Sequence, residues 1–274
     1  MAHNNSESPY HQLYDNVKSD PLWENSFVTQ PRQAECVILD YLSEHYKGKD
    51  DLKILDLGCG DGAFAGHLRK LFPKAEIQGW DPAEKLIDSL NKTGDKSIAW
   101  QFFNCFQKSE LLDQFSGYFD CIVVLATTQV LSVEEGSHGF NFSALEKIDY
   151  FVNVTSSLLG ADGLFINFDG YHDFPEYNLI SHSWEVDPSF SRGEAERPHL
   201  HKCSYAYPSV EWLKRSLLKH GFKQSDIRNF MLENLSISKS HLPGVTYTQL
   251  LGDNTTASML GVVQQPWKHV FASK

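Results

Sequence analysis

The chain has no apolar stretch approaching the roughly 18 residues that read as a bilayer-spanning helix. Its opening, MAHNNSESPYHQLYDN, lacks the charged-then-apolar pattern of an export signal. No basic run occurs anywhere, and acidic residues outnumber basic ones by 35 to 24, for a formal charge of −11. Nucleic-acid binding draws much of its affinity from Lys and Arg on phosphates, so a nucleic-acid partner is not expected. The five cysteines (Cys36, Cys59, Cys105, Cys121, Cys203) are widely spaced and form no C-x-x-C pair. Several sit in or beside apolar runs, the usage of a reducing compartment, where cysteine is a small buried apolar residue. Internal repeats and low-complexity tracts are absent as well. The expectation is a cytoplasmic protein that needs no membrane and works on a small molecule; an oligomer is compatible with it.

What the chain does contain is alternation. After a polar start, Val37, Ile38, Tyr41, Leu42 and His45 recur at helical spacing, with Gly48 as the stop. Short apolar runs at 53–57, 76–80, 98–103, 121–125 and 164–168 then alternate with helical stripes such as Phe64, Leu68, Leu71 and Leu145, Ile148, Val152, Leu159. CIVVL at 121–125 is the most apolar run and predicts a central strand buried on both faces. Two further strands are expected at 222–232 and 267–272, with a helix at 209–221 before them. The pattern predicts an α/β fold: a Rossmann-like, seven-stranded, mostly parallel sheet with helices on both faces. Residues 1–48 form an N-terminal helical or lid segment and 49–274 the main domain. An insertion at about 170–207, rich in His and aromatics with little periodicity, caps it.

The strongest local signal is KILDLGCGDGAF at 53–64. A glycine-rich turn between a strand and a helix lets backbone approach a ligand at the positive end of that helix. The glycines alone are ambiguous: Gly58, Gly60 and Ala63 fit the dinucleotide fingerprint G-x-G-x-x-G/A, while Gly58, Gly60 and Gly62 fit G-x-G-x-G. Asp56 argues for the second reading. It stands at the strand end, where it suits a ligand ammonium and repels a diphosphate.

With these residues the sequence resembles the class I S-adenosylmethionine-dependent methyltransferases, small-molecule branch, over roughly residues 35–230. The resemblance implies that Asp56, Gly58, Cys59, Gly60 and Gly62 hold the methionine moiety of S-adenosyl-L-methionine. Asp81, followed by Pro82 in IQGWDP, would grip the ribose hydroxyls, a carboxylate being a compact reader of a diol. After the third strand the family usually carries an acid for the adenine amino group. Here FFNCFQ offers Asn104, Cys105 and Phe106, a departure that leaves the adenine contact to the Asn104 carbonyl oxygen and the Phe106 ring. YFDCIVVLATTQVL resembles the fourth strand and its loop, which implies Leu125, Thr127 and Gln129 near the cofactor and the transferred methyl.

Methyl transfer from a sulfonium is an in-line displacement, so alignment and exclusion of water matter most. A hydroxyl or carbon acid, as in secondary metabolism, would need a base; His172 and His138, following the fifth and fourth strands, are the candidates. Tyr14, Arg32, Tyr171 and Trp184 are candidate walls of the acceptor pocket. P-H-L-H at 198–201 shows two imidazoles without a visible third ligand, so no metal is expected. Two other readings compete. A non-catalytic S-adenosylmethionine-binding module shares every cofactor residue, and a nicotinamide-dependent oxidoreductase is opposed by Asp56 and Asp61.

Overall fold

The computed structural model describes residues 33–125, 127, 142–171, 179–184, 203–229 and 267–274. The sheet is built from β1 (Lys53–Leu57), β2 (Glu76–Asp81), β3 (Ile98–Phe102), β4 (Phe119–Leu125), β5 (Leu159–Gly170), β8 (Gln224–Asn229) and β9 (Trp267–Ser273). Between them lie α1 (Gln33–His45), α2 (Ala63–Leu71), α3 (Glu84–Thr93), α4 (Glu110–Gln114), α5 (Phe142–Leu158) and α6 (Val210–Lys219). A separate antiparallel pair, β6 (Leu179–Trp184) with β7 (Cys203–Pro208), lies in the segment predicted as an irregular cap. Cross-strand pairing supplied an order there that no apolar alternation announced.

The seven strands run in the order β3-β2-β1-β4-β5-β9-β8. All neighbouring pairs are parallel up to β5, and β9 runs antiparallel between β5 and β8. The chain travels outward from β1 to β3, then returns to start again on the other side of β1 with β4. That reversal makes the carboxyl ends of β1 and β4 a topological switch point, where open α/β sheets take their ligands. The expected mostly parallel sheet is therefore present. One boundary differs: β5 begins at Leu159, although Gly160–Gly163 reads as a turn. The register jumps from Phe119↔Leu159 to Cys121↔Leu164, so the glycines lie in a bulge inside the strand.

Side-chain alternation divides the core in two. Ile54, Cys121, Val123 and Ile166 face α1 and α2, meeting Ile38, Leu42, Phe64 and Leu68. Leu55, Ile122, Val124 and Phe165 face α5 and α6, meeting Phe151, Val152, Leu158, Leu213 and Leu217. Trp80 anchors the second layer, wholly buried, with its ring 5.0, 5.4 and 5.6 Å from those of Phe103, Phe115 and Phe119.

On the first face, Trp100 of β3 stands opposite Gly79 of β2 and lays its ring over it. A methyl group at Gly79 would sit 2.5 Å from Trp100 Cζ3, and one at Gly62 would sit 2.6 Å from Cη2. The indole is pinned, since its Nε1–H donates to the Asp95 carbonyl at 3.2 Å. The floor beneath the glycine-rich turn is thus a tryptophan that only glycines admit. Gly79→Ala is expected to cost about 1–3 kcal/mol, the usual penalty for overpacking a filled core. The measurement is a lower urea midpoint at unchanged m value.

Candidate functional site

Between β1 and α2 the chain reverses within five residues, 58–62, and does so with φ values of 83°, 53° and 78° at Gly58, Gly60 and Gly62. These lie in the left-handed region that side chains disfavour. Each glycine also meets a different neighbour. A Cβ at Gly58 would strike Thr127 Oγ1 at 2.3 Å, tying this turn to the loop after β4, and one at Gly62 would strike Trp100. Nothing lies within 4 Å of the corresponding point at Gly60, so its bare face opens outward and leaves backbone accessible to a ligand.

The turn is held by the end of β2. Gly58 N–H and Cys59 N–H both donate to the Trp80 carbonyl, at 2.7 and 3.1 Å. Asp81 then clamps two segments with one carboxylate: Gly60 N–H donates to Oδ2 at 2.9 Å and Ala83 N–H to Oδ1 at 2.8 Å. Asp81 is thus partly a cap for the start of α3, and it stands beside Gly60 as well.

Asp56 points to the α1 and α2 side of the sheet, as Ile54 does two residues earlier. It is 1% exposed, and its Oδ2 has no hydrogen-bond partner. Burial pushes its carboxyl up to about 8, helped by the charges of Glu35, Asp81 and Asp61 and opposed by the Ala65 backbone N–H. The Cys59 thiol is raised well above its ordinary range by burial and by the Asp56 and Asp81 carboxylates. Both shifts have burial as their first cause and neighbouring carboxylates as their second.

Two further buried polar residues, Glu35 of α1 and His67 of α2, are not among those singled out from the sequence. Both are buried, and His67 Nδ1 lies 3.7 Å from Glu35 Oε2. The sequence did carry a signal. Glu35 precedes Ile38 by three residues and Leu42 by seven, so a carboxylate sits on the apolar stripe of α1. His67 likewise follows Phe64 by three on the stripe of α2.

At the end of β3, Asn104 Oδ1 accepts the Phe106 N–H at 3.0 Å and Cys105 is buried. Phe106 is exposed and its ring stacks on Tyr150 at 6.0 Å, on the α5 side. Leu125, half-buried, ends β4 against the first core layer. Pro82 lies between Asp81 and the first turn of α3. A groove lined by Glu84, Asp88, Trp100, Phe102, Asn104 and Lys108 follows the outer edge of β3, and no residue of 56–62 lines it. Tyr171 is buried, and its hydroxyl donates to Asn167 Oδ1 at 2.6 Å. Beside it Asp169 of β5 and Lys268 of β9 face each other across the ladder, both wholly buried. Trp184 lies in β6. His138, His172, Gln129, Tyr14 and Arg32 lie outside the described residues, as does the P-H-L-H segment. Among the described residues no three potential metal ligands cluster, and no helix is long and apolar enough to cross a membrane.

Asp56 generates a pH prediction. Its folded-state pKa near 8 lies above the ordinary 3.8, so the folded protein keeps a proton that the unfolded chain releases. Its contribution to stability is complete below about pH 4 and is lost as pH rises through about 8. Asp56→Asn, which cannot ionise, removes that loss. The melting temperature of ligand-free wild type should fall relative to the variant between about pH 5 and pH 8. The relative shift should be at least a few degrees, since 1 kcal/mol moves the midpoint about 2–4 °C at this size.

Residues 54–141 match the family model described as a methyltransferase domain. The chain is 35% identical over 95 residues to malonyl-[acyl-carrier protein] O-methyltransferase of Bacillus anthracis and 44% identical over 96 residues to that of Bacillus cereus. Each match covers 35% of this chain, which spans about a third (34%) of the length of either relative. Among solved structures it resembles phosphoethanolamine N-methyltransferase 2 of Haemonchus contortus in complex with S-adenosyl-L-methionine. The TM-score is 0.57 at 14% identity, over 99% of this chain and 61% of that one, a likeness of fold.

Proposed function

We propose that this chain, whose residues 54–141 are a methyltransferase domain of the class I kind, binds S-adenosyl-L-methionine and passes its methyl group to a small-molecule acceptor. The observation that carries the reading is the buried Asp56 carboxyl at the end of β1, whose Oδ2 has no hydrogen-bond partner. A carboxyl pushed up to about 8 by burial and by three neighbouring carboxylates marks a place that favours a cation and disfavours a diphosphate. The same field weighs against a nicotinamide dinucleotide.

The donor set suits this cofactor residue by residue. Asp56 offers a buried oxygen without a partner to the ammonium, and the bare backbone at Gly60 accommodates the methionine tail. Asp81, which anchors Gly60 and Ala83, is the carboxylate for the ribose diol. Asn104, Cys105 and Phe106 line the adenine end, with Leu125 and Gln129 toward the methyl. When bound, the cofactor supplies a methyl on a positively charged sulfur, already activated for displacement.

The protein then has to align an acceptor and keep water away. An oxygen acceptor, the kind named for the Bacillus relatives, must lose a proton as it attacks. His172 and His138, placed after β5 and β4, are assigned that role, and Tyr14, Arg32, Tyr171 and Trp184 the walls of the acceptor pocket. Binding alone would equally suit a non-catalytic module, so turnover separates the two: radiolabelled methyl must leave the cofactor and appear on an added acceptor.

Titration calorimetry tests the cofactor reading. S-adenosylhomocysteine should bind and NADH should not. Asp81→Asn should weaken S-adenosylhomocysteine about tenfold, the usual loss for a charge-assisted hydrogen bond. Unchanged affinity would overturn the ribose assignment, and tight NADH binding the cofactor class.

A further inference from the structure

The three left-handed glycines of the turn are not equally open. At Gly62 the place of a side chain is taken by the Trp100 ring, 2.6 Å from where a Cβ would stand. At Gly58 it is taken by Thr127, which arrives from the loop after β4. Thr127 Oγ1, Cγ2 and Cβ lie 2.3, 2.9 and 3.2 Å from the corresponding point. Of the three, only Gly60 has nothing within 4 Å.

Local chemistry explains how Thr127 reaches Gly58. β1 and β4 pair in parallel up to Asp56↔Val123, so Gly58 and Leu125 each stand two residues past that last pair. The Thr127 hydroxyl then donates to the Leu125 carbonyl at 3.0 Å, a short-range bond that folds the chain back at the strand end. Its side chain is thereby turned onto the glycine turn. Gly60 is also where a backbone N–H donates to Asp81 Oδ2 at 2.9 Å, so the open face adjoins the carboxylate assigned to the ribose.

We propose that Thr127 is a positioning residue for the cofactor's amino-acid tail: by covering Gly58 it confines the tail to the open face of Gly60 and joins that slot to the loop after β4. This rests on the S-adenosylmethionine reading and deepens it, since resemblance puts Thr127 near the cofactor without giving it a task. A slot walled on the Gly58 side leaves a flexible tail fewer ways to lie, and preorganisation of that kind raises affinity. The nucleoside end, at β2 and β3, does not depend on this wall. The same contact bars any side chain from Gly58, for a reason separate from its φ of 83°.

The test is titration calorimetry with two ligands: S-adenosylhomocysteine, which carries the tail, and methylthioadenosine, which lacks it. Thr127→Ala removes the two atoms nearest Gly58 and the bond to Leu125. It should weaken S-adenosylhomocysteine about tenfold and methylthioadenosine by less than about threefold. Thr127→Ser keeps the hydroxyl and should stay within about threefold of wild type for both ligands. A merely structural role would weaken the two ligands alike. A second measurement reads the contact itself. Gly58→Ala should cost severalfold more S-adenosylhomocysteine affinity in the wild-type background than in Thr127→Ala, where the added methyl has room, because residues in contact do not act additively. Equal losses for both ligands in Thr127→Ala, unchanged S-adenosylhomocysteine affinity, or additive losses in the double variant would overturn the proposal and leave the cofactor reading standing. Failure of wild type to bind S-adenosylhomocysteine would overturn both.

Discussion

The turn from Leu57 to Ala63 is held in place by the end of a strand that is not its own. Trp80 gives its carbonyl oxygen to Gly58 and Cys59, and Asp81 gives one carboxylate oxygen to Gly60 and the other to Ala83. A five-residue reversal with left-handed glycines has little reason to hold one shape in isolation, because glycine loses the most freedom on ordering. Here the parallel pairing of β1 with β2 brings Trp80 opposite Leu57 and so delivers the acceptors to the turn. The site's geometry follows from the register of two strands.

That register rests in turn on the packing below and above the sheet. Trp100, admitted by the missing side chains at Gly79 and Gly62, closes one face, while Trp80 among Phe103, Phe115 and Phe119 closes the other. Burial is also what gives Asp56 its chemistry. A carboxyl on the surface would be an ordinary acid, whereas one sealed between α1, α2 and the sheet responds to every charge nearby.

The methyltransferase reading joins local chemistry to fold. The glycine turn alone fits two ligand classes, and the doubly wound sheet hosts many activities. The buried Asp56 carboxyl separates the classes, since an ammonium and a diphosphate ask for opposite partners. Between β5 and α6, β6 pairs with β7 in an antiparallel ladder.

The sequence by itself determined the sheet's strands, their alternation with helices, the glycine turn and the two carboxylates Asp56 and Asp81. These are written in local spacing: period-2 and period-3.6 apolar patterns, and residues adjacent to a turn. It also carried Glu35 and His67 as polar residues on apolar stripes, though spacing cannot say what a buried charge faces. Only the tertiary structure decided that Glu35 lies 3.7 Å from His67, that Asp81 clamps Gly60, that Trp100 packs beneath Gly62, and that residues 160–163 form a bulge inside β5 rather than a turn before it. Each is a contact between segments distant in the chain. Such contacts arise from the pairing of whole elements, which no short window of residues contains.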